Sequence, residues 1–374
     1  MERKKFITIG CMVAICGFLV GYLTTLPQKT TEEVTAERQP EKVSVRLLAV
    51  GDNLIHSPIY DSCRTDDGFN FDGIYGNIKS YIADADIAAI NQETIFVEDE
   101  SGLSGYPAFG SPHQVGESTR KAGFNVVTHA TNHTFDKGAD SIFYTMDFWE
   151  KYDDIMVLGV NESDVEQQTV DVWEKDGLKI AMLNFTYGLN GYSLPDDKPY
   201  LVNLFSRSGE DAALITKAEE SADITVVFIH FGTEYTHAPT SEQKRNVEFL
   251  CENGADIIIG THPHVVQPTV WHISENGNKA LVFYSLGNFL SNQDSESKIL
   301  GAMADVTITK ENDNVTIESY KMHPTVTHRG GEGFSVYMLD DYTDELAQKN
   351  IRVPGLTVEK LKNLYDDIVN IEVY

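Results

Sequence analysis

The sequence predicts an α/β domain built on a mixed sheet, and three observations carry that reading. From Val43 onward, short β-rich runs alternate with helical patterns, as in a succession of βαβ units. The early runs are strongly apolar, as parallel strands buried on both faces are. Late in the chain, "AMADVTITK" (302–310) and "NVTIESYKMHP" (314–324) straddle "ENDN" as an antiparallel hairpin, which makes the sheet mixed.

Taken in order, "VSVRLLAV" (43–50) is the first strand, and the helical stretch "GNIKSYIADA" leads to the second, "DIAAI" (86–90). A helix around "VGESTRKAG" precedes the strand "FNVVTHA" (124–130), and a helix over "GADSIFYTMDFWEKY" precedes "IMVLG" (155–159). Strands follow at 178–188, 224–232, 255–260 and 280–289 before the hairpin, and the helices "TDELAQKN" and "TVEKLKNLYDDIVN" close the chain. No internal repeat interrupts the series, so residues 43–374 read as one compact domain.

The N-terminus is a different material. Residues 1–5 form a basic n-region, and Phe6 to Leu26 run without a charge, long enough to span a bilayer as a helix. Arg3, Lys4 and Lys5 precede the span, which keeps the N-terminus cytoplasmic and sends the rest outward. A cleaved signal peptide is the competing reading, but the apolar stretch exceeds the usual h-region and no A-x-A-like site follows it. Residues 27–42 are polar and charged and read as a tether. The expectation is a single-pass protein of the cell membrane whose main domain is extracytoplasmic.

The chain carries a net charge of −28. Arg3, Lys4 and Lys5 against Glu2 put +2 in the first 26 residues, which leaves −30 for the remainder. Such a domain repels nucleic acid and anionic lipid, so an anionic substrate needs a local positive site, and a bound metal is the natural source of one. Only Cys63 and Cys251 lie beyond the anchor, too few for a disulfide scaffold; a single bridge and two free buried thiols both stay open.

Ligand-type residues stand where the strands stop: Asp52 in "AVGDNLIH", Glu93 in "AAINQETIF", Asn132 and His133 in "THATNHTFDKG", His230 in "VFIHFGTEY", His262 and His264 in "GTHPHVVQP". Open α/β sheets place their sites at strand carboxyl ends. One such residue alone is ordinarily a turn, a helix cap or a hydrogen-bonded core histidine. Five strand ends that each supply a carboxylate, carboxamide or imidazole point instead to a divalent ion such as zinc, manganese or iron. Two histidines separated by one residue cannot share a face of a helix, but just past a strand they can address adjacent metal positions, with Pro263 stiffening the loop.

Gly-Asp, carboxylate, Asn-His, His and Gly-x-His-x-His in that order resemble the calcineurin-like metallophosphoesterases. "AVGDNLIH", "NQET", "ATNHTFDKG", "HFGTEY", "GTHPHVVQP" and "YSLGNF" more closely resemble the CapA family of bacterial capsule proteins, associated with poly-γ-glutamate synthesis and export, from about Val43 to Pro324. The resemblance implies a four-layer α/β/β/α sandwich with mixed sheets behind one N-terminal transmembrane helix. It also implies two metal ions bridged by Glu93, one completed by Asn132, His230 and His262 and the other by Asp52 and His264. His133 would stand at the substrate as an acid, with Asp136 either orienting it or capping the helix near Gly138.

Two departures mark this chain: Asp52-Asn53-Leu54 replaces the usual Asp-x-His, with His56 the nearest substitute, and Glu93 is longer than the family aspartate. Glu234 and Tyr235 could line the same crevice, and Asn288 could join it or simply make a turn.

Three functions follow from these residues. The first is a membrane-anchored protein that handles poly-γ-glutamate or a similar anionic surface polymer beside membrane partners, since one span forms no export channel alone. The second is a metal-dependent phosphoesterase or other hydrolase of the cell envelope. The third is a binding module whose site has lost its chemistry.

Overall fold

The computed structural model describes residues 42–374; the expected anchor over 6–26 and the tether up to residue 41 lie outside them. Among the described residues no helix is long and apolar enough to cross a membrane.

Strands β1 (Lys42–Asn53), β2 (Ile87–Asn91), β3 (Val126–Thr128) and β4 (Met156–Leu158) run parallel and adjacent. A second sheet takes over with β5 (Asp171–Lys175), β6 (Leu178–Thr186), β7 (Ile224–His230), β8 (Ile257–Thr261), β9 (Val266–Ile273) and β10 (Lys279–Leu286). Its order is β9-β10-β8-β7-β6-β5, with four parallel inner strands and antiparallel edges. The chain then returns to the first sheet through β11 (Asn288–Leu290), β12 (Leu300–Glu311), β13 (Asn314–Gly330) and β14 (Gly333–Met338). That sheet reads β14-β13-β12-β1-β2-β3-β4, with β11 parallel to the end of β1.

The period of two along each strand sorts the side chains into layers. Val45, Leu47 and Ala49 of β1 meet Ile180 and Met182 of β6, Val226 and Phe228 of β7, and Ile257 and Ile259 of β8 in one core between the sheets. Leu48 and Val50 face outward onto α1 (Gln114–Ala122) and α2 (Ala139–Trp149), through Val115, Phe148 and Trp149. Leu183, Val227 and Ile258 face outward on the other side onto α3 (Gly209–Ser221) and α4 (Ser241–Glu252), through Leu214, Ile215, Val247 and Leu250. The result is a helix, sheet, sheet, helix stack in which each fully buried aliphatic side chain contributes about 1.5–3 kcal/mol. Capping boxes at Ser208 with Asp211 and at Thr240 with Gln243 start α3 and α4. After α5 (Asp344–Lys349), Leu361 and Ile368 of α6 (Val358–Val369) join the inter-sheet core.

The structure differs from the sequence reading in several places. The run 280–289 is not one strand: it breaks at Gly287, whose φ of +64° turns the chain out of the second sheet and into the first. The crossing is tight, since a Cβ on Gly51 would sit 1.9 Å from the Gly287 carbonyl oxygen. The helix expected over "GNIKSYIADA" is a 3-10 turn (Gly76–Ile78) and a single helical turn (Lys79–Ile82), neither with a side-chain cap. Edge strands β5, β9 and β14 escaped notice; β9 carries Pro268, which an edge tolerates and a central strand does not. Cys63 and Cys251 are free thiols in opposite outer layers.

Candidate metal centre

The carboxyl ends of both parallel strand sets converge on one cluster of buried side chains. Asp52 is the next-to-last residue of β1, Glu93 lies two residues past β2, Asn132 and His133 follow β3, His230 is the last residue of β7, and His262 and His264 follow β8. Asp52, Glu93, Asn132, His133, His230, His262 and His264 are all buried.

Glu93, His230 and His262 bring one donor atom each to within 4.8 Å of one another, and so do Asp52, Glu93 and His264. Glu93 is common to both groups. Asn132 Oδ1 lies 2.8 Å from His230 Nε2, on the Glu93 side of that ring. The other ring nitrogens are held from behind: Thr261 Oγ1 sits 3.0 Å from His230 Nδ1, and Asp52 Oδ2 sits 2.9 Å from His264 Nδ1. Hydrogen bonds to the remote nitrogen are what orient metal-binding imidazoles. Asp52 Oδ1 in turn accepts from Asn91 Nδ2 at 2.9 Å and from the His262 amide at 3.2 Å.

The Glu93 carboxylate decides whether this donor set fits a cation. Both of its oxygens are buried without a hydrogen-bond donor, and His262 Nδ1 is likewise unpartnered. A buried carboxylate in that state is costly by several kcal/mol, on the order of the penalty for an unpaired buried charge. Burial, then the charge of Asp52, raises the Glu93 pKa well above its usual value. Burial holds His230 far below its usual range and His262 down to about 3, so both rings are neutral and able to ligate. His264 is the exception: burial opposes its protonation, but Glu93 and Asp52 outweigh burial and lift it to about 9. Carboxylates and neutral imidazoles with oxygen atoms lacking any donor suit one or two divalent ions.

The backbone is strained to make this arrangement. His262 has φ +98° and His264 has φ +57°, and Tyr235, whose amide donates to the Pro263 carbonyl at 2.7 Å, has φ +63°. Each such non-glycine residue costs about 1–3 kcal/mol and persists where its surroundings over-determine it.

Asp136 does not cap a helix. Gly138 precedes α2 without a side-chain cap, and Asp136 Oδ2 meets His133 Nδ1 at 2.6 Å and the Phe109 amide at 2.7 Å. With its proton on Nδ1 facing Asp136, His133 keeps Nε2 for exchange. Asn190 Nδ2 also lies 3.2 Å from Nδ1, but a nitrogen that donates to Asp136 cannot accept from it. His56 is outside both ligand groups; its Nδ1 is 3.1 Å from the Leu54 carbonyl and 3.3 Å from the Asn292 amide. Burial pulls His56 down to about 4.

Glu234 and Tyr235 are exposed at the mouth, the Tyr235 ring 6.1 Å from that of His264. Asn288 is no turn residue: it is fully buried in register with Asp52, and its Nδ2 donates to the His264 carbonyl at 3.2 Å. Asn91, Thr261 and Asn190 were missed; the first two sit beside motif residues, whereas Asn190 carries no signal beyond turn composition.

Residues 46–293 match the family described as bacterial capsule synthesis protein PGA_cap. The chain is 26% identical over 274 residues to the capsule biosynthesis protein CapA of Bacillus anthracis, covering 70% of this chain and 64% of that one. It is 32% identical over 176 residues to the PGA biosynthesis protein CapA of Bacillus subtilis strain 168, covering 46% and 43%. It therefore spans less than two thirds of either relative's length. Among solved structures it is similar to a calcineurin-like phosphoesterase of Bacillus subtilis, with a TM-score of 0.43 and 15% identity, over 88% of this chain and 100% of that one.

Proposed function

The chain belongs to the PGA_cap family of bacterial capsule synthesis proteins, and from that premise we propose that it serves the synthesis or export of an anionic surface polymer, poly-γ-glutamate or a close relative. In this reading residues 6–26 tether it to the membrane, the domain stands outside the cytoplasm, and membrane partners supply the export path. The buried Glu93 carboxylate, donor-free among three imidazoles, is the observation that supports it most. A strongly acidic domain admits a polyanion only where positive charge is concentrated, and these residues are built to concentrate it.

Asp52, Glu93, Asn132, His230, His262 and His264 would hold the ions, which on binding supply charge for an anionic group and polarise an oxygen attached to it. Thr261 and Asp52 hold the His230 and His264 rings in place, and Asn91 fixes Asp52. Asp136 holds the His133 ring, leaving Nε2 to give or take a proton.

That last pair favours a second reading, a metal-dependent phosphoesterase or other hydrolase of the envelope, because an oriented imidazole beside an anion site is a general acid in waiting. Deletion in the native host, complemented by the wild-type chain or by Glu93→Gln, tests the first reading. Surface polymer should fall on deletion and return only with the wild type; unchanged polymer sinks the proposal. Turnover of a generic phosphodiester with manganese, lost in His133→Ala, would favour the second.

A further inference from the structure

The mouth of the crevice carries a second feature that neither ligand group uses. Asn292 and Gln293 follow β11 and tie three parts of the mouth together. The Asn292 amide reaches His56, Gln293 Nε2 donates to the Tyr235 hydroxyl at 3.2 Å, and Gln293 Oε1 accepts from Asn288 at 3.0 Å. Three cations converge on this segment. Arg329 donates to Asn292 Oδ1 at 2.8 Å, Arg352 Nε lies 3.5 Å from the Gln293 carbonyl, and Lys298 Nζ sits 4.3 Å above the Tyr235 ring.

These cations are short of carboxylates in a chain that has 57 acidic against 29 basic residues. Among the described residues neither Lys298 nor Arg329 has an ion-pair partner; their neighbours are the Tyr235 ring, Asn292 and the Phe334 ring. Arg352 has only Asp294 at 3.6 Å, on a side chain 64% exposed. The nearby Glu296 is engaged by Lys360 at 3.5 Å. Elsewhere the arginines Arg46, Arg64, Arg120, Arg207 and Arg245 each meet a carboxylate within 2.8 Å. A half-buried cation held on neutral groups is pre-positioned for an anion that is not part of the fold. All three lie beyond residue 293, where the family match ends.

We propose that Lys298, Arg329 and Arg352 form a cationic rim that takes successive carboxylates of a linear polyanion while another of its carboxylates enters the crevice. The inference rests on the reading of the crevice as a polymer site. It adds that the site recognises a chain, one carboxylate at the buried ligands and its neighbours on the rim. Rim contacts are partly exposed and each is worth little alone, so the gain comes from several acting together on one linked ligand.

The test titrates the full-length protein in detergent, loaded with manganese, against fluorescent poly-γ-glutamate, with inorganic polyphosphate as a second probe. Lys298→Gln/Arg329→Gln/Arg352→Gln should weaken polyglutamate binding by about tenfold, converted from three exposed pairs, and flatten its salt dependence. Metal content should stay unchanged, and Arg329→Lys/Arg352→Lys should bind nearly as the parent does, which separates charge from folding. Parental affinity in the triple variant overturns the rim alone. Weakening in the triple variant with undiminished binding in His262→Ala/His264→Ala keeps the rim and overturns the crevice reading. Tighter binding of polyphosphate overturns the carboxylate assignment, and binding of neither probe overturns both.

Discussion

Asp52 and His264, 212 residues apart in the chain, meet at 2.9 Å between Oδ2 and Nδ1. In the metal-free protein burial works against the His264 charge, but Glu93 and Asp52 carry its pKa to about 9 against an ordinary 6.5. A folded-state pKa above the unfolded one stabilises the fold fully below about 6.5 and loses that effect as pH rises through about 9. An ion that takes this ring must expel its proton. Manganese affinity should therefore rise by up to about tenfold per pH unit and level off near 9. Asp52→Asn should lower the levelling point and cost about 10–100-fold in affinity. Calorimetry at pH 6, 7 and 8 measures both, and a pH-independent affinity would contradict the assignment.

Glu93 serves both ligand groups, so its removal should abolish both. Manganese or zinc at a hundredfold excess over Kd should stabilise the wild type by about 2.7 kcal/mol, seen as a rise in unfolding temperature. Glu93→Gln should show no such rise, and elemental analysis should find no bound metal. A variant that keeps half its metal would mean that Glu93 bridges nothing.

Gly51 packs its backbone against Gly287, where an added methyl carbon would fall 1.9 Å from a carbonyl oxygen. Gly51→Ala should destabilise by about 3 kcal/mol or more, because only backbone movement relieves the clash. Urea unfolding measures it; a cost under about 0.5 kcal/mol, the scale of an ordinary surface substitution, would show that the crossing is looser than it looks.

Asp256, far from the crevice, accepts from the Thr225 amide at 2.8 Å through a carboxylate whose pKa burial raises to about 7 from 3.8. A raised carboxylate works against the fold once ionised: nothing is lost below about pH 3.8, the cost grows between there and 7, and it is constant above. Asp256→Asn keeps the acceptor and drops the charge. It should stabilise by about 1–3 kcal/mol at pH 8 and leave stability at pH 4 nearly unchanged. Equal effects at both pH values would mean that the carboxylate is not destabilised by burial.

The positions of Asp52, Glu93, Asn132, His230, His262 and His264 were legible because parallel strands are apolar and end abruptly, which makes a polar residue at the stop conspicuous. Pattern also yielded the mixed α/β class and the long hairpin of β12 and β13. The break at Gly287 was not legible, since "YSLGNF" is apolar on both sides of the turn and periodicity cannot tell which sheet a residue joins. Nor were Thr261, Asn91 and Asn190, which work by holding another side chain, Asn190 by accepting from Asn132 Nδ2 at 3.0 Å. Asp136 had two readings in sequence, and only the distance to His133 separates them. The free state of Cys63 and Cys251 needed the layers, because spacing says nothing about which side of a sandwich a thiol is on.

Leu286 ends one sheet and Asn288 begins the other, with Gly287 between them, so the donor groups of the two halves can face each other only after both sheets have formed and docked. Asp52 and Glu93 come from the first, His230, His262 and His264 from the second. An ion held by these groups would thus be a clasp that closes last: a chain with either sheet misregistered would offer only half the set of ligands. Metal retention would then be the readout that tells a finished molecule from an unfinished one.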